Sequence, residues 1–188
     1  GWVHGAATGD YLRDITLEDL LGHEAVSVDF GACAASVQGK SILVTGAAGS
    51  IGSELCRQLV QFGPRELHLV DNNETGLFDL SIELGQIARE TAIRVAIADI
   101  ANAPRVATIF ANARPAVVYH AAALKHVPLL EDHPSEAFRT NVLGTRQVAL
   151  AAREFEAETF VLISTDKAVA PVSVYGASKR LAEPFILA

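Results

Sequence analysis

Two side chains near the carboxyl end of the chain, Tyr175 and Lys179, have the types and spacing of an oxidation site. Four residues apart on a helix, they lie on one face, one turn from each other. A nearby ammonium favours the phenolate form of a tyrosine, and a phenolate can take a hydroxyl proton while hydride leaves for a nicotinamide. Lys179 would also hold the nicotinamide ribose. The alternative is an ordinary surface pair on a helix.

A second reactive cluster, Thr165, Asp166 and Lys167, directly follows an apolar run. If that run is a buried strand, the three side chains lie at its carboxyl end, where parallel sheets bind their ligands. Asp166 beside Lys167 offers an acid and a base in one place. The alternative is an ion pair that closes a strand.

A glycine-rich stretch at residues 45–52 predicts a phosphate-binding turn between a strand and a helix. Gly46 permits the tight turn, Gly49 lets a pyrophosphate approach the backbone, and Gly52 lets the helix pack against the strand. Ser50 and Ile51 then begin the helix, whose free N–H groups and dipole favour an anion. The alternative is that the glycines only make a turn.

An acidic residue, Asp71, follows the second strand about 20 residues after the glycines, the usual place of the group that binds the adenosine ribose. Its charge would repel a 2′-phosphate, and the residues that follow it are not basic. The sequence therefore favours NAD over NADP. Asp99 and Ile100, after the third strand, are candidates to flank the adenine. Asp99 as a simple helix N-cap is the alternative.

Further candidates follow the fourth strand. Ala121 and Ala122 are small enough to leave room for a cofactor, and Lys125 and His126 are candidates to contact a substrate phosphate or hydroxyl. Asn141 is expected at the start of the next helix, bridging a backbone group and a water near the lysine, with a helix cap as the alternative.

Five apolar runs alternate with helical stretches from residue 41 onward, and this pattern predicts the elements that position these residues. The runs are nearly continuous, as in strands buried on both faces. Their order predicts an α/β fold, a doubly wound parallel sheet with its ligand at the carboxyl ends of the strands. Predicted strands are 42–44, 66–70, 93–96, 116–119 and 159–163. Predicted helices include 142–153 and 175–187.

Composition excludes several classes of function. The net charge of −7 argues against nucleic-acid binding. No apolar run reaches the roughly 20 residues of a membrane span, so no membrane contact is expected from this segment. Two cysteines make no disulfide framework and suit a cytoplasmic protein. No HExxH motif or close His/Cys cluster predicts a metal site.

Residues 1–39 differ from the rest and form a lead-in segment, with a short helix expected at 15–21 and a connector at 30–39. Residues 40–188 form the predicted cofactor domain. The chain contains no methionine, which suggests a piece of a longer protein.

Taken together, these motifs resemble the extended short-chain dehydrogenase/reductase superfamily. The resemblance is closest to the nucleotide-sugar 4,6-dehydratases of bacterial capsular polysaccharide biosynthesis and flagellin glycosylation. It spans residues 40–183, and DITLEDLLGHEAVSVD resembles the lead-in of large, membrane-anchored members. The matching segments are LVTGAAGSIGSELCRQL, HAAALKHVPLLE, TNVLGT, ISTDKAV and YGASKRLAE.

The resemblance implies a Rossmann fold, tightly bound NAD and a UDP-sugar substrate, UDP-N-acetylglucosamine or a close relative. It implies that Tyr175 deprotonates the hydroxyl at carbon 4, that Thr165 binds the oxygen there, that Lys167 removes the carbon-5 proton and that Asp166 protonates the hydroxyl leaving carbon 6. Large members often carry Met at the position of Tyr175, and Tyr is closer to the short members and to ordinary dehydrogenases.

The family continues beyond the tyrosine helix into a lobe that binds the UDP-sugar. The 188-residue chain is therefore expected to be truncated before that lobe, to bind NAD without sugar turnover and to form homo-oligomers. Two alternatives remain at this point. A UDP-sugar 4-epimerase uses the same cofactor and Tyr/Lys pair but needs no acid/base pair at carbons 5 and 6. A regulatory module would bind NAD without chemistry.

Overall fold

The sheet explains why the reactive residues come together. In a computed structural model, residues 29–88 and 90–187 are described; the expected helix at 15–21 lies outside them. The strands are β1 (Ser41–Thr45), β2 (Glu66–Asp71), β3 (Ala92–Ile97), β4 (Val117–His120) and β5 (Thr159–Leu162). They form one parallel sheet in the order β3-β2-β1-β4-β5. This order confirms the predicted doubly wound Rossmann fold.

Helices cover both faces of the sheet, and the core is divided accordingly. The helices are α1 (Phe30–Val37), α2 (Ser50–Gln61), α3 (Glu74–Ile87), α4 (Ala103–Ala113), α5 (Val127–Asp132), α6 (Pro134–Ala137), α7 (Thr145–Glu154), α8 (Val174–Ala182) and α9 (Pro184–Leu187). One cluster of buried side chains packs β1 and β2 against α2 and α3, and the other packs β1 and β4 against α4 and α7. A π-helix, Phe138–Gly144, joins α6 to α7.

Two expectations about single elements are wrong. The predicted connector at 30–39 contains α1, because its run of small, alanine-rich residues favours a helix and Val37 is buried in the core. The predicted helix at 175–187 is divided into α8 and α9, because Pro184 cannot continue the hydrogen-bond ladder of a helix.

The outer strands also differ from the expectation that every strand is buried on both faces. β3 lies at one edge of the sheet, and its Val95 and Ile97 are 46% and 51% exposed. β5 lies at the other edge of the described sheet and is only partly buried. An apolar run therefore predicts a strand correctly and says little about whether a neighbour covers it.

Candidate active site

The glycine turn after β1 is fixed by close backbone contacts. Gly46 has φ = 70°, a conformation that side chains disfavour, and a Cβ there would lie 2.5 Å from the backbone nitrogen of Ala122. A Cβ on Gly52 would overlap the carbonyl oxygen of Gly46. Both glycines are therefore required by the protein itself, because they let β1, β4 and α2 meet.

Gly49 differs from these two glycines. It is the N-cap of α2, and a Cβ there would meet only the Gly46 oxygen, at 3.2 Å. Ser50 and Ile51 form the first turn of α2, and the Ile51 side chain is exposed. No side chain of the described residues caps this helix. The helix N-terminus is thus open to an anion.

A cleft of about 190 Å³ lies beside this turn and collects most of the predicted cofactor residues. The Asp71 carboxylate accepts hydrogen bonds from the backbone N–H groups of Ala48 (3.0 Å) and Asn73 (3.0 Å), so it is held at the cleft wall. The predicted residues that line the cleft are Gly46, Gly49, Asp71, Asp99, Ile100, Ala121 and Ala122, together with Asn72, Ala98, Ala123, Leu124 and Thr140.

Asp99 is not a helix N-cap, because Asn102 caps α4. Its Oδ1 accepts a hydrogen bond from the Ala101 N–H (2.9 Å), and its Oδ2 accepts one from Arg139 Nη1 (2.6 Å). Partial burial raises the pKa of Asp99, but the hydrogen bonds from Arg139 and Ala101 outweigh it and hold the pKa below its usual range. Asp99 therefore presents a carboxylate to the cleft.

A buried hydrogen-bond chain ties the strand ends together. His120, fully buried at the end of β4, contacts Thr45 Oγ1 through Nδ1 (2.6 Å) and Thr145 Oγ1 through Nε2 (2.8 Å). Burial, and secondarily the charge of Lys179, lowers the pKa of His120 to about 3. The neutral ring links β1, just before the glycine turn, to β4 and α7.

Asn141 is fully buried inside the π-helix, so the expectation that it begins the long helix is wrong: the helical segment already begins at Pro134. Its side chain exchanges two hydrogen bonds with the backbone of Leu124 (2.8 and 2.9 Å) and donates to Ser178 Oγ (2.9 Å). The predicted bridge to a backbone group is present, and the second partner lies on the tyrosine helix α8. Asn141 thus joins the cleft wall to that helix.

Lys179 lies on α8 one turn after Tyr175, but it is not part of a surface pair. It is 2% exposed, and its Nζ donates to the carbonyl of Ile163 at the end of β5 (2.7 Å). Burial lowers the pKa of Lys179, and the nearby carboxylate of Glu183 opposes this shift. Tyr175 is partly exposed. The surface-pair alternative is therefore wrong for Lys179.

Thr165, Asp166 and Lys167 follow β5, and Asp166–Ala168 form a short 3₁₀ helix. They are called here the catalytic segment after the acid/base role that the sequence predicts for them. Thr165 Oγ1 donates to Asp166 Oδ1 (2.9 Å), and Lys167 Nζ lies 3.5 Å from the same oxygen. The hydrogen bond from Thr165, and secondarily the charge of Lys167, lowers the pKa of Asp166. The ion pair is present, and both of its side chains face solvent.

The catalytic segment and the tyrosine helix are packed against each other. A Cβ on Gly176, the residue after Tyr175, would overlap the carbonyl oxygen of Lys167. Ser173 caps α8 through the Gly176 N–H (3.1 Å), and Glu131 on α5 accepts the Val174 N–H (2.8 Å). The start of α8 is thereby fixed next to the end of β5.

Lys125 and His126 lie on the loop after β4, away from the catalytic segment in sequence. The Nζ of Lys125 is 3.5 Å from Ser50 Oγ, at the first turn of α2. His126 precedes α5 and lines a neighbouring apolar pocket with Leu129 and His133. The structure thus places Lys125 beside the glycine turn.

Among residues 29–88 and 90–187, no group of three His, Cys, Asp or Glu side chains is arranged to hold a metal ion. No helix in that part of the chain is long and apolar enough to cross a membrane.

Comparison with known proteins identifies the family. The family described as "Polysaccharide biosynthesis protein" matches residues 42–188. The chain belongs to this family. It is 45% identical to the probable polysaccharide biosynthesis protein EpsC of Bacillus subtilis, over 97% of this chain and 31% of that protein. The chain thus spans about a third of the length of this relative.

Other members of the wider group have named reactions. The chain is 32% identical to a UDP-N-acetylglucosamine 4,6-dehydratase (inverting) of Campylobacter jejuni, over 80% of this chain and 43% of that protein. It is 33% identical to a UDP-glucose 4-epimerase of Rickettsia rickettsii, over 79% of this chain and 43% of that protein.

Solved structures share the fold. WbmG of Bordetella bronchiseptica, crystallised with NAD and UDP, superposes with a TM-score of 0.69 and 26% identity, over 80% of this chain and 50% of that chain. Pen of Bacillus thuringiensis superposes with a TM-score of 0.73 and 34% identity, over 79% of this chain and 45% of that chain.

Several residues that shape the site of this polysaccharide biosynthesis family member were not predicted from the sequence. Thr45, His120 and Thr145 stand inside motifs that the resemblance already quotes, so their position beside the glycine turn was a usable signal. Ser178 stands inside the quoted segment YGASKRLAE and carried the same kind of signal. Arg139 gave none, because it lies outside the quoted segments and its contact with Asp99 joins residues far apart in the chain.

Proposed function

We propose that this chain carries the NAD-binding and catalytic part of an enzyme that dehydrates a UDP-sugar to a 4-keto-6-deoxy sugar for polysaccharide or glycan biosynthesis. The substrate we infer is UDP-N-acetylglucosamine or a close relative. One observation carries the proposal: the contact between Gly176 and the Lys167 carbonyl holds the Tyr175/Lys179 helix against the catalytic segment. An oxidation pair and an acid/base pair are thereby available to one sugar.

The cleft fits NAD. No side chain of the described residues caps the N-terminus of α2 after Gly49, so a pyrophosphate can be bound there by backbone N–H groups. Asp71 and Asp99 line this cleft, and we infer that Asp71 accepts hydrogen bonds from the ribose hydroxyls and that Asp99 faces the adenine. Lys179 would hold the nicotinamide ribose. The crystallisation of the similar protein WbmG with NAD and UDP supports this assignment.

The glycine turn, Asp71 and Lys179 would hold NAD, which would supply an acceptor for the hydride of carbon 4 and a source of that hydride for carbon 6. Tyr175 takes the proton of the carbon-4 hydroxyl, and the buried Lys179 lies one turn away on the same helix. The ketone at carbon 4 makes the carbon-5 proton acidic, and Lys167 removes it in its neutral form. Asp166 gives a proton to the departing hydroxyl at carbon 6, which leaves as water. Thr165 binds the carbon-4 oxygen.

Asp166 can donate only after it has taken up a proton. In the open site, Thr165 and Lys167 stabilise its carboxylate and lower its pKa. A bound sugar would exclude water from the catalytic segment, and desolvation raises the pKa of a carboxyl group. We infer that substrate binding prepares Asp166 for its role as the acid.

Epimerisation at carbon 4 is the second candidate, favoured by the similarity to a UDP-glucose 4-epimerase. It would use Tyr175 and Lys179 and leave Asp166 and Lys167 without a role. Mass spectrometry of UDP-N-acetylglucosamine after incubation with the full-length protein distinguishes the two. Loss of one water supports dehydration; an unchanged mass with an altered sugar indicates epimerisation; no change at all contradicts both and favours an NAD-binding module.

The variant Lys167→Ala separates the steps. Oxidation at carbon 4 needs Tyr175 and should continue, while removal of the carbon-5 proton should stall. Turnover is expected to fall about 10²–10⁴-fold, the usual contribution of a general base, and reduced-cofactor absorbance should build up with substrate. The control is Lys40→Ala, whose side chain pairs with Glu158 at the amino ends of β1 and β5, the opposite ends of the strands from the catalytic segment. Normal turnover by Lys167→Ala would contradict the dehydratase mechanism.

A further inference from the structure

An ion pair joins two walls of the nucleotide cleft that are far apart in the chain. Asp99 follows β3, and Arg139 lies in the π-helix, 40 residues later. Both segments line the cleft, the first through Asp99 and Ile100 and the second through Thr140, the neighbour of Arg139. Ile100 also packs against Gly144 of the π-helix, where a Cβ would lie 2.8 Å from Ile100 Cδ1.

The Asp99 carboxylate is held in one orientation by two donors. Its Oδ1 accepts the Ala101 N–H (2.9 Å) and its Oδ2 accepts Arg139 Nη1 (2.6 Å). The guanidinium is itself oriented, because Arg139 Nε donates to Glu136 Oε2 (3.1 Å). The planar guanidinium thus bridges two carboxylates, and Asp99 cannot turn away from the cleft without breaking a charged hydrogen bond.

The position of Asp99 relative to Asp71 indicates which part of a dinucleotide it meets. Asp71 ends β2, and Asp99 follows β3, one strand farther towards the sheet edge. Asp71 and Asp99 line the same cleft, so an adenosine whose ribose is bound by Asp71 would extend its purine towards Asp99. An ionised carboxylate only accepts hydrogen bonds, so it pairs with an amino group on that purine.

We propose that Arg139 is a positioning residue for purine recognition: it fixes the Asp99 carboxylate as an acceptor for the 6-amino group of adenine. Glu136 assists by orienting the guanidinium. The inference rests on the proposed NAD site and adds to it the residue that sets its preference for an amino-purine. A carboxylate already fixed before binding loses less rotational freedom than a mobile one, a difference of about three- to tenfold in affinity.

The test compares two ligands of the cofactor-free, full-length protein by titration calorimetry: NAD, and an NAD analogue whose purine carries hydrogen in place of the 6-amino group. The natural protein is expected to prefer NAD about tenfold, the typical loss for one hydrogen bond to a charged acceptor. In Arg139→Gln the preference should fall to within about threefold, because Asp99 is no longer fixed. Arg139→Lys, which retains the charge, should recover part of it.

The matched control is Arg57→Gln. Arg57 forms a similar, partly exposed ion pair with Glu83, between α2 and α3, and does not line the cleft. The variant Arg57→Gln should therefore keep the full preference for NAD over the analogue. The loss of thermal stability should be similar in Arg57→Gln and Arg139→Gln, so a purely structural role would not separate them.

The outcomes are distinct. A preference that is unchanged in Arg139→Gln, or equally reduced in Arg57→Gln, overturns the role of Arg139 while the NAD site stands. A natural protein that binds both ligands equally overturns the role of Asp99 as an amino-group acceptor, and with it that of Arg139. A protein that binds neither ligand overturns the NAD site itself.

Discussion

The cleft beside the glycine turn and the catalytic segment both lie at the carboxyl ends of the strands of one sheet, and their side chains are held in opposite ways. Around the cleft, His120 and Asn141 are fully buried and hydrogen-bonded through every side-chain polar group. In the catalytic segment, the side chains of Asp166 and Lys167 are 86% and 56% exposed and pair at 3.5 Å.

The geometry of the buried side chains around the cleft is therefore set by the protein alone, whereas that of the exposed pair depends on a bound substrate. A buried, fully paired network keeps its geometry before any ligand arrives. An exposed pair interacts weakly, because water screens its charges. On the proposed function, the cofactor part is therefore ready in advance, whereas Asp166 reaches the protonated state that an acid needs only when a bound sugar displaces water. Substitutions of Gly52, His120, Asp71 and Asp166, with their controls, examine this contrast in addition to the Lys167→Ala test.

The largest loss of stability is expected for Gly52→Ala. The new methyl group would overlap the Gly46 carbonyl, and this atom belongs to a backbone that cannot move without opening the glycine turn. Overpacking of this kind costs about 3 kcal/mol. Urea unfolding measures it.

Gly85→Ala is the matched control, because no atom lies within 4 Å of a Cβ at this position in α3. Alanine favours a helix over glycine, so this variant should gain up to about 1 kcal/mol. Equal stability of the two variants would show that the glycine turn is less tightly packed than the cleft geometry indicates.

His120→Gln should flatten the acid side of the stability profile. An unfolded histidine binds a proton below about pH 6.5, whereas folded His120 remains neutral down to about pH 3. The unfolded state therefore holds more protons in this window, and the free energy of unfolding falls as the pH falls, by up to about 1.4 kcal/mol per pH unit. The variant lacks this contribution. Identical slopes for the two proteins between pH 4 and pH 6 — about the middle of that window — would indicate that the ring is not held neutral.

Asp71→Ala should weaken NAD binding about tenfold to a hundredfold, because hydrogen bonds from the ribose to a charged acceptor are lost. Asp71→Asn keeps an acceptor oxygen without the charge, so its affinity for NAD should lie between those of the natural protein and Asp71→Ala. Titration with NAD gives both values. If all three proteins bind NAD equally, Asp71 does not contact the ribose.

The smallest effect on stability is expected for Asp166→Asn. The carboxylate faces solvent, and its pairing with Lys167 is screened. Thermal unfolding should occur at the same temperature as in the natural protein, while sugar dehydration is lost. A clear drop in unfolding temperature would mean that the catalytic segment supports the fold, against the contrast drawn above.

Much of the fold was accessible from the sequence, because apolar runs and glycine spacing are local signals. The five strands and the turn at Gly46 were predicted on this basis, and the sheet order agrees with the doubly wound plan. The exposure of Val95 and the break at Pro184 were not predicted. The first depends on which strand lies at the edge, which is a property of the whole sheet.

The candidate site also divides into residues that local patterns in the sequence reveal and partners that they do not reveal. Residue type and spacing brought Asp71, Asp99 and Lys179 to attention, and the structure places the first two on one cleft and the third at the end of β5. Their partners could not be derived from spacing. Lys179 donates to a backbone carbonyl of another element, and Asp99 pairs with Arg139 across 40 residues.

The π-helix between α6 and α7 sets the angle at which the helical residues before and after it face their partners. Its i→i+5 hydrogen bonds accommodate one extra residue relative to the i→i+4 bonds of an α-helix. Deleting one residue there would turn everything before it by about 100° relative to everything after it. Arg139 could then face Asp99, or Thr145 could face His120, but not both at once. The extra residue thus gives both ends of this helical segment the orientation that their contacts need, one with the residue after β3 and one with β4.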